Sequence, residues 1–210
     1  MALGHMGVGK VIANLDTEPS REAVAARTFY ETARDEVFRD FSWPFASKTG
    51  TLALVAENPT TEWGYAYRVP SDCVMFRKIS SGFYNDTRQS RVPFQIFADD
   101  QGGLVYTNKS DAVGVWTFRN KSVEFYPADF KTCFALKLAS YMVPMLSAGD
   151  PFKMGDSLLA KYRIWLAKAS ANARNEEQQP ELPQSEFVRI RDGVGEFDGQ
   201  SPWQSIPPVT

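Results

Sequence analysis

Residues 33–48 read ARDEVFRDFSWPFASK, and within this stretch a helical pattern gives way to an extended one. Upstream, apolar residues recur at Ala23, Ala26, Tyr30, Ala33, Val37 and Phe41, a spacing that places them on one face of a helix. Arg27, Glu31, Arg34, Asp35, Glu36 and Arg39 fill the other faces. Ser20 is suited to cap this helix, with Pro19 before it and acidic Glu22 near the positive helix end. Downstream, Pro44 disfavours helical geometry at Trp43 and has no backbone donor of its own, so the helix must stop there. Trp43 and Phe45 flank the break and are read as core wedges.

Beyond the break the chain breaks up into short β-like runs. Residues 49–56, 62–69, 73–79, 92–98, 104–107, 112–118 and, more weakly, 123–126 alternate or are β-branched and aromatic, and are bounded by turn residues. Trp63, Tyr65 and Tyr67 alternate along one of these runs, which assigns Trp63 and Tyr65 to the core. The polar stretch 80–91 reads as an exposed loop. It carries Arg88 and Arg91 near Tyr84, downstream of the basic pair Arg77-Lys78; these cations either touch passing phosphates or simply face solvent.

At Pro127 the helical period returns, with Phe130, Phe134, Leu138, Tyr141 and Met145 on one stripe and Pro144 expected to kink or end it. Gly149-Asp150-Pro151 opens another helix. The expected fold is therefore α+β: a bundle of about four helices from 1–45 and 127–179, an inserted antiparallel β-rich region over 46–126, and an extended C-terminal arm over 180–210. Five of the thirteen prolines fall in that arm. Phe187, Val188, Ile190, Phe197 and Trp203 are spaced through it as apolar anchors, fit either for docking on a partner or for strapping its own subunit.

Composition narrows the chemistry. The chain has 210 residues, 43% of them hydrophobic and 13% aromatic, and a formal net charge of −2, which speaks against a generic basic nucleic-acid binder. No run of about eighteen apolar residues suggests a membrane span. The two cysteines, Cys73 and Cys133, lack any CxxC or Cys/His spacing and read as buried thiols. His5 is the only histidine, which disfavours His-based triads and most zinc sites. Gly4, Gly9 and Lys10 imitate a phosphate-binding loop, but Val11 stands where a Ser or Thr would hold magnesium. No catalytic, metal or cofactor site is assigned, and the chain is not expected to be an enzyme. The alternative is a virion-associated hydrolase or nuclease using an acidic cluster.

One resemblance organises these readings. Tyr30-x3-Arg34-Asp35, Trp43-Pro44-Phe45-Ala46, Leu52-Ala53-Leu54 and Trp63-x-Tyr65-x-Tyr67-x2-Pro70-x-Asp72-Cys73 together resemble the head-to-tail connector, or adaptor, proteins of tailed phages, the tail tubular protein A family. The resemblance implies a structural virion protein at the head–tail junction, made in the host cytoplasm. It would assemble as a twelvefold ring on the portal protein, extend the channel through which genomic DNA transiently passes, and hold a tail or nozzle protein; no membrane partner is implied. Under this reading the charged helix face with Arg27, Glu31, Arg34 and Asp35 is a candidate subunit contact, its alternative being a solvated face. The arm becomes a portal-docking segment, and Arg88 and Arg91 become candidate channel contacts.

Overall fold

The break in the motif stretch is the joint between a helical layer and two small sheets in the computed structural model, which describes residues 1–82, 90–147 and 149–176. The helices are α1 (Ala2–His5), α2 (Arg21–Asp40), α3 (Ala128–Leu146) and α4 (Pro151–Glu176). The strands are β1 (Ser47–Thr51), β2 (Ala53–Glu57), β3 (Tyr65–Arg68), β4 (Cys73–Ile79), β5 (Phe94–Asp99), β6 (Gly102–Thr107) and β7 (Val113–Phe118).

The helical layer is not the four-helix bundle that the periodicity suggested. α1 is a single turn of four residues, followed by Gly7 at φ +74°, where a left-handed backbone ends helical geometry. Residues 8–19 then run as a strap with no regular helix, held by the Arg27 guanidinium, which donates to the carbonyls of Leu15 and Asp16 at 3.0 and 2.5 Å. Among the described residues three long helices remain, with α3 packed against both α2 and α4. The Ser20 hydroxyl accepts from the Ala23 amide and caps α2, as its position requires. Pro144 lies inside α3 rather than ending it. None of the helices among the described residues is long and apolar enough to cross a membrane.

Among the described residues the β region forms two sheets, in the orders β1-β7-β4 and β2-β3-β6-β5, with every pairing antiparallel. The run 49–56, expected as one strand, is split at Leu52. There the chain leaves the first sheet and enters the second, with the Leu52 amide donating to the Ala112 carbonyl at 2.9 Å and its side chain buried. Phe76, Ile79 and Trp116 from one sheet meet Tyr67 and Val105 from the other, with Leu52 at the crossing between them, in a shared core. Gly114 lets them close: a Cβ there would stand 2.8 Å from the Phe76 ring and 2.9 Å from Leu52. The segment Val123–Phe125 is a 3-10 turn, not a strand.

The helical core is strongly aromatic. Phe38, Trp43, Phe45, Tyr126 and Phe130 contact one another at centroid distances from 4.7 to 6.1 Å, mostly edge-on or tilted, the arrangement that aromatic quadrupoles favour. Trp43 is thus buried in the core, and Phe45, partly buried, packs against it. Tyr65 packs against the core between the sheets. Trp63 belongs to neither buried cluster and is half-buried in the turn before β3, so its expected core role is corrected.

Candidate functional site

The joint between helices and sheets is where the motif residues gather. A helix leaves its last four carbonyls without intrahelical donors. For α2 these are the carbonyls of Val37, Phe38, Arg39 and Asp40, and side chains answer three of them. Trp43 Nε1 donates to Val37 at 2.8 Å. Arg77 Nη2, arriving from β4, donates to Phe38 at 2.9 Å and Arg39 at 3.4 Å, and also to Phe41 at 2.8 Å. Arg77 Nε donates to the Thr117 hydroxyl on β7 at 2.8 Å. A cation at the negative end of a helix macrodipole is favourable in addition to these bonds. The sequence placed Arg77 in a basic pair beside the exposed loop; its guanidinium is instead used inside the fold.

One further link crosses the same joint, and another braces the three-stranded sheet beside it. Asp35 on α2 accepts from Arg119, just after β7, at 2.7 Å, and from Arg34 at 3.3 Å. Asp72 accepts from Lys48 Nζ at 2.5 Å and from Trp116 Nε1 at 3.1 Å. Burial alone would raise the Asp72 pKa, but the Lys48 and Trp116 hydrogen bonds outweigh it and hold the carboxyl below its ordinary value. Lys48 also lies 4.2 Å above the Phe118 ring, a cation–π contact.

The proposed contact charges are therefore not equivalent. The Arg34 side chain is only 5% exposed and pairs with Asp35 and Glu31 within its own chain. Arg27 is committed to the N-terminal strap, and Asp35 to Arg119. Glu31, with a side chain 78% exposed, is the one of the four that points outward. The expectation that Arg34 lies on an exposed helix face is overturned by this burial. Arg91 is exposed ahead of β5. Arg88 and the arm residues Phe187, Val188, Ile190, Phe197 and Trp203 lie outside the described residues.

A second polar cluster ties α2 to α3 and α4. Glu36 accepts from the Tyr141 hydroxyl at 2.7 Å and from Lys137 Nζ at 2.8 Å. Asp40 accepts from the Tyr162 hydroxyl at 2.5 Å, and Lys137 lies 5.1 Å from the Tyr162 ring centroid. Burial pulls upward on Glu36, yet Lys137 and Tyr141 hold it below its ordinary value. Burial and the Glu36 bond push the Tyr141 phenol up to about 12, and burial with the Asp40 bond drives Tyr162 upward as well.

Burial raises both thiols, Cys73 and Cys133, to about 11, so each remains a protonated, unreactive thiol at neutral pH. Burial lowers His5. The downward shifts of Glu36 and Asp72 and the upward shifts of both thiols and of Tyr141 and Tyr162 follow from the hydrogen bonds and burial just described. Among the described residues no group of His, Cys, Asp and Glu is arranged to hold a metal ion. The arrangement is that of a braced joint.

Beyond the joint, apolar side chains face outward on several elements, two of them long helix or sheet surfaces. Phe152 and Ile164 on α4 are 81% and 70% exposed, and Leu54, Val55, Ile96 and Phe97 are exposed on the outer strands of the four-stranded sheet. No protein-family model matches the chain, and no curated protein matches it.

Proposed function

We propose that the chain is a head-to-tail connector of a tailed phage, assembling as a ring, with twelve copies, on the portal. It would extend the DNA channel and offer the tail or nozzle protein its platform. The observation that carries this reading is the structural use of residues from the stretch that resembles the connector family: Asp35, paired with Arg34, bonds Arg119 across the junction of helices and sheets, Trp43 closes the end of α2 there, and Asp72 braces the adjoining three-stranded sheet. A ring subunit needs rigid faces of fixed mutual orientation rather than a pocket. A helix end tied to two strands by Arg77 and Asp35 supplies such rigidity, and the exposed apolar positions on α4 and on the sheet edges supply surface to bury between subunits.

The test is to mix the purified chain with purified portal and examine the product by negative-stain electron microscopy and sedimentation. Twelvefold rings seated on the portal are expected. A chain that stays monomeric and does not co-sediment with portal would overturn the proposal. Genomic DNA in this reading is a passing polymer, and the exposed Arg91 is the described cation assigned to touch it.

A further inference from the structure

The four-stranded sheet has two open edges. Among the described residues β2 pairs only with β3, and β5 only with β6, so each turns a row of backbone donors and acceptors outward. Every residue of β2 is exposed, and every residue of β5 after Phe94. Leu54 and Ile96, 50% and 52% exposed, add apolar surface to the two edges. An exposed apolar edge is a template for another strand.

Strand direction selects what that strand is. Direction alternates across four strands, so β2 and β5 run opposite ways. Two copies of the chain standing side by side in the same orientation bring β5 of one against β2 of the next in antiparallel sense. The three-stranded sheet cannot do this: β1 and β4 both run antiparallel to β7, so its edges share one direction and same-orientation copies would meet in parallel. Charge agrees with the antiparallel arrangement. It lays the beginning of β5 beside the end of β2, which brings exposed Arg91 toward exposed Glu57. The edges are also matched in length, five residues against six.

We infer that β5 of one copy pairs antiparallel with β2 of the next copy, making the four-stranded sheet continuous between neighbours. The two surfaces differ, so the contact is heterologous and propagates head to tail. Its closure into a ring rests on the connector reading above; the strand pairing does not.

Site-specific cross-linking with a short bis-maleimide tests this on the full chain, alone at high concentration and mixed with portal. A Glu57→Cys chain mixed with an Arg91→Cys chain is expected to give a cross-linked dimer, and the double variant a ladder, with unmodified chain as the control for Cys73 and Cys133. Adding Val55→Lys and Ile96→Lys should abolish the ladder while the circular dichroism and urea midpoint of the monomer stay unchanged. Rings on the portal without this cross-link would overturn the strand pairing and leave the connector reading standing. A ladder without rings on the portal would do the reverse, and absence of both overturns both. A dimer formed by Glu57→Cys alone would replace the head-to-tail contact with a twofold one.

Discussion

Arg77 on β4 stands 2.8 Å from the carbonyl of Phe41, at the end of a helix thirty-six positions earlier in the chain. Replacing Arg77 with Met keeps much of the stem but strands the carbonyls of Phe38 and Phe41. A charged hydrogen bond is worth about 1.5–3 kcal/mol, so a loss of about 2–3 kcal/mol in urea unfolding is expected. Arg77→Lys should recover little of it, because a point charge cannot reproduce the planar fork. Full stability of the Met variant would show the bonds to be energetically idle.

Trp43 combines volume with one specific bond. Trp43→Ala is expected to cost about 3–5 kcal/mol through the cavity left among Phe41, Phe45 and Phe130. Trp43→Phe keeps most of the volume but leaves the Val37 carbonyl unanswered, for about 1–3 kcal/mol. Thermal or urea denaturation of the two variants side by side separates the terms, and equal losses would refute the role of the indole N–H.

Charge reversal at Arg34 should unfold the chain rather than selectively prevent assembly. Its side chain is nearly enclosed, and a carboxylate there would face Asp35 and Glu31; breaking such a pair costs about 3–5 kcal/mol. Glu31→Lys, at an exposed position, is expected to change stability by no more than about 0.5 kcal/mol. A folded Arg34→Glu monomer by circular dichroism would contradict the burial.

Acid should loosen the helical layer through Glu36. Its folded pKa lies below the ordinary value because Lys137 and Tyr141 bond the carboxylate more strongly than burial opposes it. A depressed carboxyl contributes stability that is present above its unfolded pKa, about 4.3 for Glu, and is lost as pH falls through the lower folded pKa. Urea midpoints measured from pH 7 downward should hold until that region and then drop. In Glu36→Gln the drop should be smaller, and an identical pH profile would assign the acid sensitivity to other carboxyls, Asp72 first.

Thiol accessibility offers an independent check. Cys133 is fully buried and its pKa is raised to about 11, so a disulfide reagent at pH 8 should modify it at the rate of unfolding. Rapid labelling of Cys133 in the native chain would show that α3 opens locally.

Much of the secondary structure was legible in the sequence, and the reason differs by element. Residues 73–79 were readable as β4 because their apolar and β-branched residues stop at clear turn signals. The α2 boundaries were readable from Ser20 and Pro44. The change of sheet at Leu52 was not, because a strand that passes from one sheet to another keeps its local pattern. The short apolar run at Val123 fits a strand or a 3-10 turn equally, and tertiary packing decided it. At the joint, Arg77 carries no sequence mark of the helix end it closes, since that partner is remote in the chain. Arg34 was assigned outward because charge usually marks the solvent face of a helix, whereas here its guanidinium lies 5.8 Å from the Tyr30 ring and pairs inside the fold.

The crossing at Leu52 also governs how force would travel through the molecule. β1 and β2 are successive parts of one backbone, so the two sheets are connected in series by peptide bonds. A pull on β2, one edge of the four-stranded sheet, passes through Leu52 and β1 to Trp43 and the end of α2 along that backbone. When that pull runs along the strands, the antiparallel ladders beside β1 and β2 are loaded in shear, shared over several hydrogen bonds at once.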